Sequence, residues 1–217
     1  SPEGYVLSRE QIFAKIDELV AFGGEEPKSC ELLMQGGLNP KLRLDYYEEL
    51  LGAIRDHYPM VQLHCLSATE IIYIAHLSRL SLAETITRLR QAGLDSIPGA
   101  GAEILDDGVR DVIGFRKDRT EEWLEVHRLA HSLGMRTTAT MMYGHVETTE
   151  HRLQHLHLLR QLQDQTGGFT AFITWNFQPD HTDLAADPAR WQGRKATGFD
   201  HLRTVAVARL FLDNFPH

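Results

Sequence analysis

Apolar residues along the chain recur with two periods that take turns. Ile12, Ile16, Leu19 and Val20 fall on one helical stripe, opened by Ser8 with Gln11 three residues later in capping-box spacing and stopped at Gly23-Gly24. CELLM (30–34) is too short for a helix, closes on Gly36-Gly37 and reads as a buried strand. The exchange then repeats, with Tyr46, Leu50, Leu51 and Ile54 as a helical face ending near Pro59 and VQLHC (61–65) as the next strand. Further helices are predicted over 68–76, 82–92, 121–133, 149–165 and 201–212, and strands over LDSI (94–97), MRTTATMMY (135–143) and FTAFITWNF (169–177).

Strand and helix alternate without two consecutive strands, which predicts parallel βα units. Two architectures satisfy that pattern, an open doubly wound sheet or a (β/α) barrel, and about five strands are counted where a complete barrel has eight. In both, ligands gather where strands end.

At 217 residues with 42% hydrophobic content the chain can bury a sizeable core as one domain. The 22 basic and 30 acidic residues leave a net charge of −8, which argues against nucleic acid or an acidic membrane as partner and leaves a small-molecule substrate as the expectation. The two cysteines, Cys30 and Cys65, lie in apolar runs and read as reduced, buried thiols. No run approaches the length of a membrane span and SPEGYVLSRE lacks signal-peptide character, so a cytoplasmic location is expected.

Five strand exits carry polar or glycine-rich text: QGG (35–37), HCLS (64–67), PGAGAE (98–103), YGHVE (143–147) and WNFQP (175–179). PGAGAE begins like a dinucleotide fingerprint, but Ile104 stands where its third glycine belongs. Glu103 reads either as a residue favoured at a helix N-terminus or as a carboxylate for ribose hydroxyls. Gly36-Gly37 reads as an ordinary turn or as a close approach to a ligand, and His64 as a core histidine or a site residue. His145 with Glu147 is the better pair for proton handling, and Trp175 with Gln178 offers a stacking face and an amide. The pairs His127/His131 and His151/His155 have the i, i+4 spacing of zinc ligands but lie within long helices, where a solvated helix face is the expectation. No Gly-x-Ser-x-Gly elbow supports a serine hydrolase.

Taken in order, LLMQGGLNP, LHCLSATEI, AGLDSIPGAGAEIL, ATMMYGHVETTEHRLQHL and GGFTAFITWNFQP resemble the radical S-adenosylmethionine (SAM) enzymes of the futalosine route to menaquinone, over nearly the whole chain. Trp175 and Gln178 in WNFQP are similar to the cyclase branch of that family, whereas its aminofutalosine synthases carry leucine and histidine near these places. The resemblance implies an α/β fold, a TIM-type (β/α) barrel incomplete in this chain, with S-adenosylmethionine and a four-iron four-sulfur cluster as cofactors. It implies an electron donor such as flavodoxin or ferredoxin. Carried over by motif, Gln35, Gly36 and Gly37 would meet the amino group of S-adenosylmethionine, Glu103 its ribose, and Thr140 and Met141 its adenosyl part. His64, Ser67, Trp175 and Gln178 would surround the substrate, with His145 and Glu147 at the departing proton. The family's Cys-x3-Cys-x2-Cys segment is expected just before text like EGYVLSREQI, and the chain begins at Ser1 without it, so cluster ligands are expected upstream and none within residues 1–217. The expectation is therefore a core-domain fragment that also lacks the C-terminal strands.

Overall fold

A computed structural model describes residues 4–22, 30–114, 117–191, 193 and 195–217; Gly23-Gly24, expected to stop the first helix, lie outside the described residues. The elements run α1 (Arg9–Phe22), β1 (Cys30–Met34), α2 (Leu44–His57), β2 (Val61–Cys65), α3 (Ala68–Ser78), α4 (Leu82–Gln91), β3 (Ser96–Ile97), α5 (Asp107–Ile113), α6 (Thr120–Ser132), β4 (Arg136–Tyr143), α7 (Thr149–Thr166), β5 (Phe169–Asn176), α8 (Asp183–Ala186) and α9 (Gly198–Phe211). Every strand and long helix expected from periodicity forms. The Ser8 capping box closes as its spacing predicts, with Ser8 N–H donating to Gln11 Oε1 at 2.9 Å and Gln11 N–H to Ser8 Oγ at 3.3 Å. The short helices α5 and α8 were not predicted. They are too brief to show a period and are set up by single caps, Asp106 and Thr182.

The five strands pair in the order β1-β2-β3-β4-β5, all parallel. That order decides between the two architectures. A doubly wound sheet reverses its strand order at a switch point and carries helices on both faces, whereas crossovers of one hand in one direction put every helix on the same face. The result is a curled half-barrel. Val61, Leu63 and Cys65 of β2, Ile97 of β3, and Ala139 and Met141 of β4 are buried on the helix side. Alternation turns Gln62 and His64, Ser96, Thr138, Thr140 and Met142, and Ile173 and Trp175 to the inner face. Trp175 and Ile173 remain 37% and 44% exposed there.

Close backbone packing explains two glycines. A Cβ at Gly99 would sit 2.6 Å from Ala139 Cα, so only glycine lets the exit of β3 lie against β4. A Cβ at Gly168 would enter the ring of His131 at 2.1 Å.

The histidine pairs on α6 and α7 bind no solvated face. His127 is fully enclosed beside Trp123 and Phe169, with ring centroids at 4.0 and 5.4 Å. His131 bridges Thr166 Oγ1 and Thr137 Oγ1, both at 2.7 Å, and His155 Nδ1 accepts the Leu105 N–H at 3.0 Å. Only His151 serves the surface, closing the N-terminal capping box of α7. The i, i+4 spacing does put each pair on one helix face. For His127, His131 and His155 that face is turned to the sheet.

Burial lowers the pKa of His131 from its ordinary 6.5 to about 4 and that of His155 to about 3, and holds His127 well below 6.5. Because these folded-state values are depressed, the unfolded chain takes up protons first as pH falls. Their stabilising contribution is complete above about 6.5 and is lost toward pH 4 and 3, at about 1.4 kcal/mol per histidine per pH unit. Urea unfolding should therefore show a steep loss of stability between pH 7 and 5, reduced in a His131→Gln/His155→Gln double variant; an unchanged pH slope in that variant would refute the assignment.

Candidate functional site

The exits of β1 and β2 are joined by one carboxylate. Glu70, the third residue of α3 and 5% exposed, accepts the Gly36 and Gly37 N–H groups on Oε1 at 2.8 and 3.0 Å. Its Oε2 accepts the Ser67 N–H at 2.8 Å and the Ser67 hydroxyl at 2.7 Å, while Ser67 Oγ in turn caps the Glu70 N–H. Ser67 is thus committed to the helix cap, and the substrate contact expected of it is not free. Leu66, between strand and cap, is held at φ +61°, a left-handed conformation uncommon for a branched residue. Gln35, Gly36 and Gly37 line a cleft of about 530 Å³ together with Tyr5 and Tyr47, whose phenol burial and the Glu70 charge push up to about 12. Among the described residues a Cβ at Gly36 or Gly37 would meet nothing within 4 Å, so there these glycines border open space.

The exit of β3 is clamped from the helix side. Gly101, at φ +86°, lies so near α3 that a Cβ would sit 2.5 Å from Thr69 Oγ1. Arg110 of α5 donates to the carbonyls of Gly101, Ala102 and Asp118 at 3.0, 2.7 and 2.7 Å and pairs with the Asp118 carboxylate at 2.9 Å, both side chains nearly fully buried. Thr69 donates to Asp118 at 2.8 Å, tying α3 to the same buckle. The glycines of PGAGAE therefore serve close packing against β4 and α3. Glu103 follows at φ +39°, its carbonyl accepting the Met142 N–H at 2.9 Å and its carboxylate paired with Lys117 at 2.9 Å. A non-glycine residue in this region stores strain of order 1 kcal/mol, and such strain collects at functional sites.

On β4, Thr140 lies on the inner face but donates its hydroxyl to the Gly99 carbonyl. Met141 departs from expectation: alternation sends it to the helix side, where it packs with Ile104, Val109 and Tyr143. His145 and Glu147 adjoin each other, as their spacing implied, with both side chains fully buried. The Glu147 carboxylate accepts the Gly144 and His145 N–H groups at 2.6 and 2.9 Å and pairs with Arg152 of α7 at 2.6 Å. His145 Nε2 faces the Met142 carbonyl at 3.0 Å and Nδ1 lies 3.3 Å from Glu147. Burial lowers the His145 pKa and the Glu147 charge opposes it. In this arrangement Glu147 holds the turn after β4, and neither group opens onto the inner face.

His64 does lie on that face, its Nδ1 2.8 Å from Ser96 Oγ and its pKa lowered by burial. Trp175 shares the face with Met142, its register partner, and Gln178 lies exposed just beyond β5. Periodicity and motif reading overlooked Glu70, Ser96 and the Arg110–Asp118 pair. Glu70 had a legible signal, the Ser-x-x-Glu capping box in SATE directly after a strand. Arg110 and Asp118 had none, because only the fold brings them together.

Among the described residues no three His, Cys, Asp or Glu side chains group as ligands for a metal. Cys65 is buried, donates to the Leu32 carbonyl at 3.4 Å, and is pushed up to about 12 by burial. An iron–sulfur cluster, which needs thiolates, does not fit the described residues. The glycine exit suits an amino-acid ligand, since Glu70 takes the Gly36 and Gly37 N–H groups and leaves backbone carbonyls as the acceptors of this loop.

The model of the Radical SAM superfamily matches residues 1–159 of the chain. The chain is 47% identical over 206 residues to aminodeoxyfutalosine synthase of Thermus thermophilus, covering 93% of this chain and 54% of that protein. It is 43% identical over 215 residues to cyclic dehypoxanthine futalosine synthase of Halalkalibacterium halodurans, covering 99% of this chain and 55% of that protein. The crystal structure of methylornithine synthase superimposes with a TM-score of 0.68 at 15% identity, over 97% of this chain and 55% of that one, a likeness of fold. The chain spans about half the length of the curated relatives it matches. Among the described residues no helix is long and apolar enough to cross a membrane.

The buckle at the β3 exit has a measurable consequence. Arg110→Met leaves the buried Asp118 charge and three carbonyls without their partner and should cost about 3–5 kcal/mol in urea unfolding. Pairing it with Asp118→Leu should recover part of that loss, and a double variant no more stable than Arg110→Met would contradict the account.

Proposed function

The chain belongs to the radical SAM superfamily, and from that premise we propose that the whole protein is the cyclase that converts dehypoxanthine futalosine to cyclic dehypoxanthine futalosine in menaquinone biosynthesis. We infer S-adenosylmethionine and a four-iron four-sulfur cluster, reduced by flavodoxin or ferredoxin, as its cofactors; bound together they would supply radical chemistry at the substrate.

The observation that carries the cyclase reading is the WNFQP exit: Trp175, partly exposed on the inner face, and Gln178 at the strand end form an aromatic surface and an amide where the substrate's benzoate ring would lie. The residues of this chain then divide their work. The Gln35–Gly37 carbonyls receive the amino group of S-adenosylmethionine and Glu103 accepts from its ribose hydroxyls, with Lys117 partly offsetting the carboxylate charge. Thr140 supports the adenosyl side by fixing the Gly99 carbonyl. His64, held by Ser96, is the imidazole we assign to the departing proton, since it lies on the inner face. His145 and Glu147 act as positioning residues for the turn after β4. Trp175 and the flanking strands exclude water that would divert a radical.

Aminodeoxyfutalosine synthase is the second reading, favoured by the 47% identity to the Thermus protein. Incubating the whole, cluster-loaded protein with each substrate separates them. Conversion of dehypoxanthine futalosine to its cyclic product, with no aminofutalosine from the enolpyruvyl substrate, is expected; the reverse outcome would replace the cyclase assignment. Trp175→Leu should lower kcat/KM about three- to tenfold through lost ring stacking. Glu147→Gln should reduce turnover without moving the pH–rate profile, whereas a displaced limb of that profile would return the carboxylate to proton transfer.

A further inference from the structure

Glu70 divides its two oxygens between two tasks. Oε2 takes the Ser67 N–H and hydroxyl and completes the capping box of α3, which needs only one acceptor. Oε1 is spent on the Gly36 and Gly37 N–H groups, 34 and 33 residues away in the chain. Helix capping does not account for this second pair of bonds.

Peptide planarity extends them to the other side of the loop. Among the described residues no peptide bond is cis, and in a trans peptide the C=O and N–H of one unit point in opposite directions. The Gly36 N–H shares its unit with the Gln35 carbonyl, and the Gly37 N–H with the Gly36 carbonyl. Since both N–H groups aim at one oxygen of Glu70, both carbonyls face away from it. Their side of the loop therefore presents acceptors, with a buried negative charge behind them and open space at both glycine α-carbons. Such a surface suits a cation with N–H donors and disfavours an anion.

We propose that Glu70 is a positioning residue for cofactor binding: by locking the Gly36 and Gly37 peptides it aims the Gln35 and Gly36 carbonyls at the ammonium of S-adenosylmethionine. This rests on the assignment of the Gln35–Gly37 exit to that amino group. Glutamine at the same place in a capping box still accepts from the Ser67 N–H, but its NH2 would meet the glycine N–H groups donor to donor. Glu70→Gln thus keeps the helix and releases the loop, and Glu70→Asp withdraws the carboxylate from the loop while keeping its charge.

The test is calorimetric titration of the whole, cluster-loaded protein with S-adenosyl-L-homocysteine and with its analogue in which hydrogen replaces the amino group. The unaltered protein should prefer the amino compound by on the order of tenfold or more, as expected for hydrogen bonds to a charged group. Glu70→Gln and Glu70→Asp should reduce that preference to about threefold or less, while Ser67→Ala, which removes the cap and one donor to Oε2 but leaves both glycine bonds on Oε1, should keep it. Full preference in either folded Glu70 variant overturns the role of Glu70 and leaves the amino-group assignment standing. No preference in the unaltered protein overturns that assignment, and the role of Glu70 with it.

Discussion

A buried carboxylate joins the first two strand exits. Placing the Glu70 charge away from water costs several kcal/mol, and the cost is offset only because four donors from two separate segments converge on it. Each of those segments is thereby held relative to the other. The loop after β1 is tied at Gly36 and Gly37 to a residue on α3.

The same device recurs at two further exits. Arg110 and Asp118 enclose the carbonyls after β3, and Glu147 with Arg152 gathers the N–H groups after β4. In each case an ionic group on or next to the following helices satisfies backbone polar atoms that leave the sheet. These groups lie on the helix side. The inner face carries His64, Met142 and Trp175, and strain at Leu66 and Glu103 marks where the chain bends into this arrangement.

Much of this is legible in the sequence. Hydrophobic period located all five strands and the long helices, because a period of two or of 3.6 is a local property. The capping boxes at Ser8 and Ser67 are equally local. The strand-exit text points to one end of the sheet, and His64, Glu103 and Trp175 lie there. The misreadings share a cause. Motif carry-over groups Met141 with Thr140, although adjacent strand residues face opposite ways. Ser67 and Glu147 looked like ligand contacts because a polar residue at a strand exit does not reveal whether its partner is a ligand or a backbone N–H. His127, His131 and His155 looked like surface residues, since a histidine on a helix reads the same whether its face meets water or Phe169.

By itself the sequence determined the parallel βα alternation, the absence of a serine-hydrolase elbow, and the order of motifs that resembles the radical SAM enzymes. Those depend on residues within about a dozen positions of one another, or on their order along the chain. The tertiary structure decided that the strands wind in one direction, that the PGAGAE glycines pack against β4 and α3, and that Glu70 reaches back more than thirty residues to Gly36 and Gly37. Such contacts arise from strand order and from the need to pair buried polar groups. Neither is carried by any short stretch of sequence.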